Sequence, residues 1–196
     1  MSNKPKGKKV NSILLAGFGG QGVLSMGQFL AYAGMLEGKE VSWVPSYGPE
    51  MRGGTANCLV TISDEEIDSP VFDYPDVVVA MNRPSLDRFE NKVCCGGILI
   101  TNSSMIDRPV QRGDIRLYEI PANEIANSLG NIKVANMVII GALLEITGVV
   151  EVDSVVECLQ KVLPASKPHL LVINKRALEM GAELVSSQDK KQRVAV

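Results

Sequence analysis

Histidine is almost missing from this chain: His169 is the only one in 196 residues. One imidazole leaves little room for Cys–His or Ser–His catalysis and none for a two-histidine metal site. Cysteine is nearly as scarce. Cys58 and Cys158 stand alone, Cys94 and Cys95 are adjacent, and no CxxC occurs. That spacing supplies neither a zinc site nor an iron–sulfur site. No secretory leader is legible, because the lysine-rich start runs into an apolar stretch broken by Gly17, Gly19 and Gly20. The longest apolar region, VANMVIIGALLEITGVV, contains Asn136 and Glu145 and falls short of a spanning helix. A cytoplasmic protein without a membrane role is expected.

Charge is low and unevenly placed. The net value is -2. With the first ten residues at +4 and residues 188–196 at +2, the body carries about -8. An acidic body with basic tails makes a poor nucleic-acid footprint, which needs bases clustered on a folded surface. Apolar residues make up 45% of the chain, enough for one ordinary core. A single α/β domain over 11–185 is expected, with 1–10 and 186–196 as basic, flexible tails.

What is present is an alternation of strand and helix patterns. NSILLAG (11–17), EVSWVP (40–45), TANCLVTIS (55–63), DVVVAM (76–81), GGILITN (96–102) and RLYEI (116–120) read as strands. Residues 23–38 read as a helix whose Val23, Gly27, Leu30 and Gly34 share one sheet-facing side. RPSLDRFENKV (83–93) suits an amphipathic helix with Leu86 and Phe89 inward. Residues 122–130, 134–148, 152–163 and 169–185 form a helical C-terminal third, the second of these apolar nearly all round. The expected fold is a doubly wound, Rossmann-like α/β sheet, largely parallel. A hairpin-like pair over 40–63 allows it to be mixed.

Gly17, Gly19 and Gly22 match GxGxxG between a strand and a helix, the context for dinucleotide binding. That reading needs an acid, or an arginine, at the end of the second strand. Trp43, Val44, Pro45 and Ser46 stand there, while Glu37 lies before the strand and Glu40 at its start. The alternatives are a tight strand-to-helix turn, or bare amides facing an anion brought by a partner or coenzyme. A stand-alone Rossmann-like nucleotide-binding protein is thus the second reading of function.

Several segments together carry a more specific likeness: AGFGGQGVLSMGQFLAYAG (16–34), VPSYGPEMRGGTANCLVTIS (44–63), SPVFDYPDVVVAMN (69–82), GGILITNSS (96–104), IPANEIANSLGN (120–131) and VANMVIIGAL (134–143). Over roughly residues 11–180 the chain resembles the gamma subunit of 2-oxoacid:ferredoxin oxidoreductases. The EMRGGTA form is most similar to the 2-oxoglutarate type, with the 2-oxoisovalerate type close. The resemblance implies a complex that turns a 2-oxoacid, coenzyme A and oxidised ferredoxin into acyl-CoA, carbon dioxide and reduced ferredoxin. It also implies alpha, beta and delta partners that hold thiamine diphosphate, magnesium and the iron–sulfur clusters. The residues agree with a chain that owns no such cofactor. The thiamine signature GDG with a following Asn is absent, and Gly113–Asp114–Ile115 with Asn136 is only a turn and a helix residue. The isolated chain is therefore expected to be colourless and inactive.

The stretch PSYGPEMRGG (45–54) is stiffened by Pro45 and Pro49 and sharply bent by Gly48, Gly53 and Gly54. Such a support presents Tyr47, Glu50 and Arg52, and three uses are open: an internal Glu50–Arg52 lock, docking on the thiamine-binding subunits, or contact with coenzyme A or substrate. Docking is favoured. The candidate contact surface is then Gly17, Gly19, Gly20, Gln21, Gly22, Tyr47, Glu50, Arg52, Gly53, Gly54 and Asn136. Gln21 either bonds back to the opposing loop or reaches a partner. Asn136 is either a buried hydrogen-bonding residue or a lip of the same surface. Cys58 is expected to face the sheet interior, and Trp43 to be core.

Overall fold

A computed structural model describes residues 12–47, 54–164 and 166–194. Six strands form one mixed sheet: β1 (Ser12–Phe18), β2 (Glu40–Tyr47), β3 (Thr55–Ser63), β4 (Val77–Ala80), β5 (Ile98–Asn102) and β6 (Arg116–Ile120). Their order is β2-β3-β1-β4-β5-β6. β3 is antiparallel to both β2 and β1, while β1, β4, β5 and β6 pair in parallel. The expected hairpin-like pair is therefore real, and it makes the sheet mixed.

Apolar runs explain the two covered faces. Within the parallel part every residue of β4 and β5 is buried, which continuous Val/Ile/Leu runs permit and strict alternation does not. Ile13, Leu15, Val77, Val79, Ile98 and Ile100 join the larger core. Leu14, Ala16, Val78, Ala80 and Leu99 point the other way into a smaller one. Helix α2 (Arg83–Phe89) covers this second face with Leu86 and Phe89. The larger core is closed by α1 (Val23–Leu36), α3 (Ala122–Ser128), α4 (Ala135–Thr147), α5 (Val152–Val162) and α6 (Pro168–Val194).

Helix α1 lies close on the hairpin because two of its sheet-facing positions are glycines. A side-chain carbon on Gly27 would meet Cys58 Sγ and Trp43 Nε1, and one on Gly34 would meet Val41. Helix α4, buried from Ala135 to Leu144, is crossed by α6 through a reciprocal glycine pair. A methyl on Gly141 would strike the Leu178 carbonyl, and one on Gly181 would strike that of Val138.

The second tail departs from expectation. Helix α6 continues to Val194, past residue 185 where the sequence reading ends the domain. The segment SSQDKKQRV contains no Gly or Pro to stop a helix. Residues 1–10, the other expected tail, lie outside the described residues.

Candidate functional site

The carboxyl ends of the parallel strands define one rim, and the antiparallel β3 begins on it. Register puts Phe18, the last residue of β1, opposite Thr55, the first of β3, and Tyr47 opposite Ala56. The two glycine-bearing loops therefore meet. The Gly19 N–H donates to the Gly54 carbonyl at 3.0 Å.

The turn itself demands glycine at specific places. Gly20 has φ 100 and Gly22 φ 75, the left-handed region that only glycine enters freely. Gly22 is also the N-cap of α1. Its missing side chain makes room for Asn136, whose Nδ2 would lie 2.5 Å from a carbon placed there. Asn136 is buried, and its Oδ1 accepts from the Met137 N–H. Asn136 is thus a buried hydrogen-bonding residue, and it packs beside Gly22.

Gln21 does not bond to the described part of the opposing loop. It turns inward and closes the gap between β1 and β4. Its Oε1 accepts from the Phe18 N–H at 2.7 Å and from Asn82 Nδ2 at 2.8 Å. Its Nε2 donates to the Met81 carbonyl at 3.3 Å. Gly17 is bare for the same reason: a side-chain carbon there would lie 2.8 Å from Gln21 Oε1 and 2.9 Å from Met81 Cβ. In a doubly wound sheet a ligand ordinarily enters between such strand ends. Here the chain's own carboxamide sits there.

Sequence reading missed the partners of Gln21. Asn82 and Asn102 are buried at the ends of β4 and β5. Asn82 Oδ1 caps α2 by accepting from the Ser85 N–H. Asn102 Nδ2 donates to the Met81 carbonyl and to Asn123 Oδ1, and its own Oδ1 accepts from the Ala122 N–H. An Asn followed by Arg-Pro at a helix start is a readable cap signal for Asn82. The bonds across strands had no local signal.

Beside the Gly19–Gly54 junction opens a cleft of about 590 Å³, lined by Phe18, Gly19, Gly20, the first turn of α1 and Gly54–Ala56. No Asp, Glu, Lys, Arg, His or Cys stands among these described lining residues. The first-turn amides of α1 have no intrahelical acceptor and carry the positive end of the helix dipole. The cleft can thus offer N–H donors to an anion or carbonyl, and its described lining has no ionisable side chain, only the hydroxyls of Ser25 and Thr55. Of the remaining candidates, the side chain of Tyr47 and all of Glu50, Arg52 and Gly53 lie outside the described residues.

Trp43 and Cys58 support the floor of this rim. Cys58 is fully buried, and burial pushes its thiol up to about 12, against smaller opposing effects of Trp43 and Gly27. The thiol donates weakly to the Val23 carbonyl. The Trp43 indole N–H, buried and without a conventional acceptor among the described residues, rests against this sulfur.

Comparison with known proteins agrees with the fold. Residues 12–184 match the family described as pyruvate ferredoxin/flavodoxin oxidoreductase. The ketoisovalerate oxidoreductase subunit VorA of Methanothermobacter thermautotrophicus is 46% identical over 173 residues, covering 87% of this chain and 35% of its own length. This chain thus spans about a third of that relative. The 2-oxoglutarate synthase subunit KorC of Methanothermobacter marburgensis is 39% identical over 185 residues, 91% of this chain and 98% of its own. The crystal structure of the keto/oxoacid ferredoxin oxidoreductase gamma subunit from Geobacter sulfurreducens aligns with a TM-score of 0.77 at 28% identity, covering 90% of this chain and 99% of that one. The chain therefore belongs to the pyruvate ferredoxin/flavodoxin oxidoreductase family, as a domain of the gamma type.

Proposed function

We propose that this chain is the non-redox gamma subunit of a multi-subunit 2-oxoacid:ferredoxin oxidoreductase and docks through its glycine-loop rim onto the thiamine-binding subunits. The observation that carries this reading is the Gly19–Gly54 hydrogen bond, which joins the first family-typical loop to the described end of the second. In this reading thiamine diphosphate, magnesium and the iron–sulfur clusters belong to the alpha, beta and delta subunits. Ferredoxin and coenzyme A reach the chain only through the complex. The chain's own residues do two things: they hold the rim rigid, and they offer amide donors and small apolar surface beside it.

The expected substrate is 2-oxoglutarate, supported by the EMRGGTA form and by a 2-oxoglutarate synthase relative matched along nearly its whole length. A branched-chain 2-oxoacid is the second reading, favoured by the 46% identity to a ketoisovalerate oxidoreductase subunit. The test is native purification of the tagged chain, followed by coenzyme A-dependent ferredoxin reduction with 2-oxoglutarate, 2-oxoisovalerate and pyruvate in turn. Recovery of thiamine- and cluster-bearing chains, with fastest turnover of 2-oxoglutarate, supports the proposal. Faster turnover of 2-oxoisovalerate moves the substrate to the second reading. A lone monomer, with full activity in an extract depleted of it, overturns the assignment.

The stand-alone nucleotide-binding alternative is tested by titrating the isolated chain with NAD(P), FAD and ATP. The Gln21 carboxamide between β1 and β4 supports an outcome without micromolar binding.

A further inference from the structure

We infer that Gln21 is a positioning residue which preforms the contact rim, an inference that rests on the docking reading above. Three observations carry it. First, one carboxamide makes three hydrogen bonds to three different groups: the Phe18 N–H inside its own turn, and Asn82 Nδ2 and the Met81 carbonyl across the gap to β4. Second, Asn82 is itself immobilised, being buried and capping α2, so the latch is anchored on a packed helix rather than on a loop. Third, Gly20 is exposed and left-handed, and Gly22 is left-handed too. A turn with two such glycines has many conformations available when nothing holds it.

The physical consequence is pre-organisation. A loop that must choose one conformation on docking loses affinity to the ordering entropy; a loop already held does not. Gln21 makes that choice in the free chain. It fixes Phe18 and the turn that follows, which aims the Gly19 N–H at the Gly54 carbonyl and leaves Gly20 facing outward. The same latch ties the β1 end to the β4 and β5 ends, because the Met81 carbonyl that accepts from Gln21 also accepts from Asn102 Nδ2. The rim then moves as one body.

The test uses the full chain and its thiamine- and cluster-bearing subunits, with two variants that break the latch from opposite sides. Gln21→Ala removes the carboxamide. Asn82→Asp keeps the acceptor that caps α2 and replaces the donor to Gln21 by an oxygen that repels Gln21 Oε1, so it breaks the latch from the other side where Gln21→Ala fails to fold. The first readout is hydrogen exchange at the Gly19 amide in the free chain. The Gly19 amide bonds to the Gly54 carbonyl, whereas the Gln21 side chain bonds to Phe18, Met81 and Asn82, so Gly19 exchange reports aim rather than the deleted bond. The second readout is the dissociation constant for the partner subunits, measured well below the melting temperature.

The expected result is Gly19 exchange about tenfold faster in both variants, with association weakened by about tenfold. A lowered melting temperature with Gly19 protection and affinity unchanged makes Gln21 merely structural and overturns the inference. If the wild-type chain does not bind those subunits, the docking reading fails. The exchange readout still decides whether the latch exists.

Discussion

The Gly19 N–H and the Gly54 carbonyl, 3.0 Å apart, join the β1–α1 turn to the residue where the β2–β3 connection enters β3. Because the turn around Gly19 depends on left-handed glycines, its backbone is where a small change has a large effect. Gly20 has open space around it but φ 100. Gly20→Ala therefore meets no clash and carries only backbone strain, about 1–2 kcal/mol. A melting temperature lowered by about 2–6 °C is expected, with weaker association with the partner subunits. An unchanged melting temperature contradicts the backbone assignment.

The α4–α6 crossing predicts a larger effect far from the rim. Gly141→Ala and Gly181→Ala each drive a methyl into a backbone carbonyl, which cannot rotate away. Each variant is expected to lose about 3 kcal/mol or more. Gly113, which has no atom within 4 Å of an added carbon, is the control. Denaturant titration of the three variants checks this, and a Gly141→Ala variant as stable as Gly113→Ala contradicts the crossing.

Glu37 ties the end of α1 to the start of α5. Its Oε1 accepts from the Glu151 N–H at 2.7 Å, and its Oε2 lies 2.8 Å from Lys39 Nζ. Burial alone raises its pKa, but the Lys39, Glu151 and Ser154 hydrogen bonds outweigh it, so the carboxyl titrates below its ordinary 4.5. A folded-state value below the unfolded one stabilises the chain above the ordinary carboxylate range. That stability is lost as pH falls through the lowered value. Glu37→Gln is expected to cost about 1 kcal/mol at pH 7 and nothing below the transition. Melting curves from pH 7 to pH 3 test it, and a cost that does not shrink with acid contradicts it.

Thiol chemistry should separate by burial. Cys58, buried and pushed up to about 12, carries almost no thiolate at pH 8, and Cys158 is buried as well. Cys95 is exposed. Alkylation of the native chain followed by peptide mapping should mark Cys95 first, with Cys58 and Cys158 labelled only on unfolding. Labelling of Cys58 as fast as Cys95 contradicts the packing under α1.

Much of the fold was legible because its cause is local. RLYEI and TANCLVTIS become strands within the expected limits, and VANMVIIGALLEITG, apolar on every side, is the buried helix it has to be. Val23, Gly27, Leu30 and Gly34 do face the sheet. The site was less legible because its bonds cross strands. Nothing around Gln21 in sequence points to Asn82 or Met81, and Asn102 meets Asn123 only after the connection from β5 through β6. The polar run that extends α6 had no apolar periodicity to mark it, since helix continuation there needs only the absence of a breaker.

The central claim is that the rim formed by the glycine loops is the face presented to the thiamine-bearing subunits. Hydrogen-exchange mass spectrometry of the free chain and of the natively purified complex tests it most directly. Protection on assembly should concentrate in peptides covering Phe18–Leu24 and Gly54–Ala56. Protection at the opposite end of the sheet, around Cys95–Gly97, with the glycine loops unchanged, contradicts the account.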